Sequence, residues 1–174
     1  TDKRSHATVN RYLAALSSAF GIAVKEWQWI DENPMRRVSK LKEPRGRVRC
    51  LTEEERERLL AACKDSVNPH LYMAVVLALS TGARQQEIWG LRWPEVNLER
   101  GLITFTETKN NEFRSVPLEG HARELLLGHS KIRRIDSDLV FPSKKNPVVR
   151  HDFRDPWNKA LVVAEVEDFR WHDL

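Results

Sequence analysis

The chain has 174 residues, 41% apolar and 31% charged, with a net charge of +4. That length allows one large domain, or one domain and part of another, and no run approaches the ~18 apolar residues of a membrane span. Cys50 and Cys63 are too few for a disulfide framework and lack metal-site spacing, and Thr1–His6 carries no signal-peptide core, so a reducing, cytoplasmic setting is expected.

Ser5 to Trp27 reads as one long helix, because Val9, Leu13, Leu16, Phe20, Val24 and Trp27 recur at helical spacing. A single helix cannot bury that stripe, so the first region reads as the tail of a helical domain whose earlier helices are absent. Asn33-Pro34 ends the segment. Charge then concentrates. Residues 1–50 hold 11 Lys/Arg against 5 Asp/Glu, and residues 51–174 hold 18 against 20. The densest run is Arg36, Arg37, Lys40, Lys42, Arg45, Arg47 and Arg49, broken only by Glu43. With Pro34 and Pro44 inside it, this reads as an extended linker, either simply solvated or strapped along a phosphate backbone.

Thr52 followed by Glu53, Glu54 and Glu55 is a capping box, and starts a helix that runs to about Cys63. Leu71 to Ser80 is short and nearly all apolar, so it reads as a buried central helix. Gly82 suits the left-handed position past its end, and Arg84 to about Leu91 forms the next helix. The period then changes to that of strands at Leu102–Thr106 and Phe113–Leu118, around the polar turn Lys109–Glu112, with a short third strand at Val96–Leu98. Pro117 suits an edge. Helices resume at about Glu119–Leu127 and Asp152–Val166.

The chemistry concentrates in Thr81–Ile88. Arg84 falls at a helix start, where the backbone already favours an anion, and an arginine fork suits a phosphate. Glu87 shares its face. The plain alternative is a surface pair at i, i+3, contributing about 0.3 kcal/mol. Lys109 reads either as an exposed turn lysine or as a mobile ammonium that donates a proton to a leaving oxygen. His172 follows Asp168-Phe169-Arg170-Trp171. His6, His70, His121, His129 and His151 are scattered, without a pair at metal-ligand spacing, which argues against a metal site. No Ser-His-Asp order and no Gly-rich phosphate loop stands out.

Taken in order, the buried helix, Thr81-Gly82-x-Arg84-x-x-Glu87, Leu91-Arg92-Trp93 and the Thr108-Lys109 turn come first. Arg114-Ser115-Val116-Pro117-Leu118, Val140-Phe141-Pro142 and Phe169-Arg170-Trp171-His172-Asp173-Leu174 follow. This order strongly resembles the tyrosine recombinases of the phage integrase family, from about Ser5 to Leu174. The resemblance implies a mainly α fold with a small antiparallel sheet (α+β), in which a recombinase catalytic domain follows the last helix of a core-binding domain. Residues 1–33 would be the end of the DNA-binding core domain, 34–49 the basic linker, and 50–174 an incomplete catalytic domain.

The chemistry it implies is site-specific recombination of double-stranded DNA through a 3′-phosphotyrosyl intermediate, without metal or cofactor, by a tetramer of protomers. On this resemblance Arg84 is the first phosphate-clamping arginine, Glu87 its buttress, Lys109 the general acid, and His172 a phosphate contact that assists the tyrosine. A second arginine and the nucleophile would follow Leu174. Tyr12 and Tyr72, the only tyrosines, match neither place, so the chain alone is expected to bind DNA but not to cut it. The competing expectation is a non-catalytic or regulatory DNA-binding protein that keeps the fold. Thr8, Asn10 and Arg11 lie off the apolar stripe and can meet phosphates or base edges, while Arg45, Arg47 and Arg49 suit non-specific phosphate contacts.

Overall fold

The computed structural model describes residues 4–106 and 113–174, and divides into two compact units, Thr1–Arg47 and Val48–Leu174.

The first unit is built on helix α1, His6–Lys25. Ser5 caps it, its hydroxyl accepting from the Thr8 amide at 3.3 Å. Only Asn10 and Ala23 of this helix are buried. The stripe read from the sequence is present but largely uncovered, with Leu16 49% and Trp27 52% exposed. Trp27 instead packs on Trp29, ring centroids 4.4 Å apart. Asn33 caps the 3-10 turn Pro34–Arg37 by accepting from the Met35 amide at 2.9 Å, and donates to the Ser17 carbonyl at 2.8 Å, which pins the turn onto α1.

In the second unit, α2 (Glu53–Lys64) starts with the expected capping box. The Glu55 amide donates to the Thr52 hydroxyl at 3.2 Å, and the Thr52 amide returns to the Glu55 carboxylate at 3.0 Å. Helix α3 (Leu71–Thr81) is the centre of the core. Leu71, Ala74, Val75 and Leu77 are fully buried, and α3 packs against α2, α4 (Gln85–Trp89) and α5 (Gly120–Ser130), while α2 also meets α6 (Arg154–Val163). Among the described residues one three-stranded antiparallel sheet forms, in the order β1 (Val96–Asn97), β2 (Leu102–Phe105), β3 (Arg114–Pro117). Ile103 and Phe105 point into the core. Pro117 sits on an edge strand, where its missing N–H costs no ladder bond.

The bounds of α4 and α6 differ from expectation for local reasons. Helix α4 stops at Trp89 rather than Leu91, because Gly90 ends it and the Leu91 carbonyl turns to accept the Val140 amide at 2.8 Å. Helix α6 is shorter at both ends. Asp152 accepts from the Arg154 amide at 3.0 Å before the helix begins, and Glu165, at φ 53°, ends the chain's helical path.

Aromatic side chains close the core around α4. Trp171 meets Trp89 edge-on at 5.5 Å and Trp157 at 5.0 Å. Phe153 packs on Trp89 at 5.6 Å and on Phe141 at 5.4 Å. Such pairs each add about 0.5–1.5 kcal/mol beyond their buried area.

Candidate functional site

The site grows from the end of α3. The Thr81 hydroxyl donates to the Leu77 carbonyl at 2.6 Å, and Gly82 takes the left-handed conformation, φ 59°, that lets the chain leave the helix. Ala83 is buried as a plug, and Arg84 emerges with extended backbone at the start of α4. Glu87, one turn into α4, folds back. Its Oε2 accepts from the Arg84 amide at 2.7 Å, and its Oε1 from Arg84 Nη1 at 3.0 Å. A second guanidinium arrives from β3, with Arg114 Nη2 donating to Glu87 Oε2 at 2.7 Å.

Exposure decides what this cluster is. The Glu87 side chain is 6% exposed, Arg84 58% and Arg114 39%. A solvent-exposed i, i+3 pair adds only a few tenths of a kcal/mol. A buried carboxylate with three donors is instead a fixed post, and removing it strands charge. The guanidinium of Arg84 is held at one nitrogen and otherwise faces solvent, where an anion can take its remaining donors.

Beside this cluster lies a cleft of about 300 Å³ lined by Gln86, Glu87, Arg92, Glu95, Phe105 and Arg150, among others. Glu95 is used internally, accepting from the Arg92 amide at 2.9 Å and from the Thr106 hydroxyl at 2.9 Å. Arg92 and Arg150 are exposed cations on its wall.

His172 is exposed on the 3-10 turn Trp171–Asp173, which a bond from the Arg170 amide to Asp173 at 2.8 Å closes. Trp171, buried against Trp89 of α4, brings that turn beside the helix that carries Glu87. Lys109 lies outside the described residues.

Among the residues expected to meet DNA, Asn10 is a correction. It is 7% exposed and fully occupied inside the protein. Its amide nitrogen donates to the Leu41 carbonyl and to Glu43 Oε1, each at 2.7 Å, and its oxygen accepts from the Leu41 amide at 2.8 Å. With His6 Nδ1 2.8 Å from the Lys42 carbonyl, this lays residues 41–43 along α1, so that part of the run is not a loose linker. Thr8 shares its hydroxyl with Ser5 at 2.8 Å, and Arg11 is exposed. Arg45 and Arg47 are exposed, but Arg49 is again a correction. Its guanidinium pairs both oxygens of Glu55, at 2.9 and 2.5 Å, bonds the Cys50 carbonyl, and sits 5.6 Å from the Phe169 ring. Hydrogen bonds from Arg49 and from the Thr52 amide draw the Glu55 carboxyl down to about 2.

Three histidines that are scattered in the sequence meet in the second unit. The rings of His70 and His129 lie 5.2 Å apart, and those of His70 and His151 6.3 Å. His129 Nε2 is 2.9 Å from the Val140 carbonyl, so that nitrogen carries the proton, and Asn68 Nδ2 donates to His151 Nε2 at 2.5 Å. Burial first, then the charges of His129, His151 and Lys144, push the His70 pKa down to about 4. No group of three His, Cys, Asp or Glu among the described residues is placed to hold a metal ion.

The sequence reading missed Arg114 and Arg150. The signal for Arg114 was present: it alternates with Val116 on the half-buried face of β3, where a charge demands a partner.

Residues 49–174 match the phage integrase family. A shufflon-specific DNA recombinase from Escherichia coli is 36% identical over 96% of this chain and 41% of its own length. The integrase of Salmonella phage P22 is 31% identical over 97% of this chain and 45% of its own length. The chain thus spans less than half of these two relatives. The Tn1549 transposon integrase in complex with circular intermediate DNA superposes with a TM-score of 0.76 at 19% identity, over 97% of this chain and 64% of that one, a likeness of fold. None of the described helices is long and apolar enough to cross a membrane.

Proposed function

The chain belongs to the phage integrase family, and from that premise we propose that it is part of a tyrosine recombinase that breaks and rejoins double-stranded DNA at specific sites. The observation that carries this reading is the buried Glu87 carboxylate, which holds Arg84 at 3.0 Å yet leaves most of its guanidinium open. Phosphodiester exchange gathers charge on the nonbridging oxygens, and a cation already fixed in place stabilises that charge without reorganising. Arg84 would bind one such oxygen. His172, on the turn that Trp171 anchors beside α4, would take another and assist proton removal from the nucleophile. Lys109 would donate the proton that the leaving 5′-oxygen needs.

Neither tyrosine here suits attack. Tyr12 lies on α1, and the Tyr72 hydroxyl bonds His121 Nε2 at 3.1 Å, on the helix before Arg84. The nucleophile and a second clamping arginine then belong to sequence outside these 174 residues, and this chain alone would bind DNA without cutting it. Arg11, Arg45 and Arg47 would supply phosphate contacts. The Tn1549 transposon integrase, of like fold and in complex with circular intermediate DNA, supports DNA as the partner. Assembly as a tetramer on two duplexes and action in the cytoplasm of a bacterial or phage-infected cell complete the proposal.

The test is a suicide substrate carrying the protein's own attachment site, resolved on a denaturing gel. The full-length protein should give a covalent protein–DNA band, and Arg84→Ala should lose it. A full-length protein that binds the site but never forms the band, or an Arg84→Ala variant that still does, overturns the proposal.

A further inference from the structure

β3 alternates, with Arg114 and Val116 half-buried and Ser115 and Pro117 exposed. Arg114 therefore shares the inward face of the hairpin, opposite Phe105 in the register. An arginine there breaks the apolar-in pattern of a sheet. Desolvating its charge is costly without a partner, and a buried ion pair is a weak device for stability, because apolar residues of similar volume do as well or better. What such a pair does supply is a fixed position.

The local geometry is that of a strut. The Arg114 guanidinium lies 5.3 Å from the Phe105 ring, which restricts its plane. Among the described residues its buried Nε has no hydrogen-bond partner. Its Nη2 meets Glu87 Oε2, 27 residues away in sequence, at 2.7 Å. That oxygen also accepts the Arg84 amide, and the opposite oxygen takes Arg84 Nη1. The last torsion of a glutamate is soft. A second anchor on Oε2 stops the carboxylate from turning, and so fixes where Oε1 holds the Arg84 side chain.

We propose that Arg114 is a positioning residue for strand cleavage, acting on Arg84 through the shared carboxylate of Glu87. This rests on the recombinase reading above. In the full-length protein, Arg114→Gln should lower the single-turnover cleavage rate at saturating DNA by about 10- to 100-fold. The DNA concentration for half-saturation should stay unchanged. Arg114→Lys, which keeps the charge but not the fork, should recover part of the rate. In a Glu87→Gln background, Arg114→Gln should cost little more, the non-additivity of a shared path.

Equal losses in both backgrounds, or a loss expressed as weaker DNA binding with a smaller salt slope, would overturn the proposal in favour of a direct phosphate contact. An Arg114→Gln variant that cleaves at the parental rate overturns it outright. A second readout separates this inference from the recombinase reading. Nitrogen-15 spectra of the Arg84 guanidinium should show hindered rotation about Cζ–Nε in the parent and in Arg114→Lys, and free rotation in Arg114→Gln. If the protein never cleaves DNA but the spectra behave so, the recombinase reading fails and the positioning stands. Hindered rotation that persists in Arg114→Gln removes the positioning itself, whatever the cleavage result.

Discussion

Two regions of this molecule are rich in arginine, and they use it in opposite ways. Around α4, the Arg84 and Arg114 side chains converge on one buried carboxylate, and a hydrogen bond to it holds each cation. Along residues 36–47, the backbone is pinned to α1 by Asn10 and Asn33 while the arginine side chains stay exposed. Fixing a cation suits a transition state, where charge appears at one place. A run of exposed cations suits a phosphate chain, where many contacts add affinity through counterion release. Arg49 marks the boundary. Lying at the end of the same basic run, it pairs with Glu55 and stacks on Phe169, so it belongs with the fixed cations.

The largest effect is expected at Glu87. Glu87→Ala removes the acceptor of two guanidiniums and one amide. Breaking a buried ion pair costs about 3–5 kcal/mol, and because both arginines still reach water the loss expected in urea unfolding is about 2 kcal/mol. A loss below ~0.5 kcal/mol would return the cluster to an ordinary surface pair.

Next comes Asn10. Asn10→Ala should unpin residues 41–43 and strip protection from the Leu41 amide in hydrogen exchange, by about 1–2 kcal/mol for a buried polar group left without its partners. The salt slope of DNA binding should not move, because Asn10 has no capacity left for a phosphate.

A smaller effect comes from His70. Its folded pKa of about 4 lies below the ordinary histidine value. Between those values the unfolded chain binds more protons. The stabilising contribution of neutral His70 is therefore complete above about pH 6.5 and fades as pH falls towards 4. The melting temperature should drop by about 3 °C between pH 7 and pH 5 from this group, and His70→Gln should flatten that part of the profile.

The smallest effect sharpens the boundary. Arg45→Ser with Arg47→Ser should reduce the salt slope of DNA binding by up to about 0.9 for each lost phosphate contact. Arg49→Ser should leave the slope alone and lower the melting temperature instead. Equal slope changes at all three positions would erase the distinction between Arg49 and the exposed cations before it.

The parts of this fold legible in the sequence are those written within one helical turn. The Thr52–Glu55 capping box and Gly82 at φ 59° are set by residues at most four apart, and both stand where the sequence puts them. The period change at Leu102 announced the sheet in the same way. What the sequence did not reveal depends on long-range closure. The Glu87–Arg114 bond spans 27 residues and the Asn10–Leu41 bond 31. The histidine cluster is assembled by α3, α5 and the strand-like segment near His151, so the spacing of its members in sequence carries no sign of it. Asn10 misled for a physical reason: a polar residue off an apolar stripe looks solvated until another segment folds over it. Arg84 and Glu87 were legible as a pair, but only burial separates a post from a surface bridge.

The central claim is that Glu87 makes Arg84 a fixed cation for chemistry and not one more contact for binding. Glu87→Gln tests it most directly, by measuring single-turnover cleavage and DNA affinity of the full-length protein in parallel over a range of salt. Cleavage should slow by at least about tenfold, the effect of a misplaced reacting group, with the affinity and its salt slope unchanged. Cleavage at the parental rate, or a fall in cleavage matched by an equal fall in affinity, would contradict it.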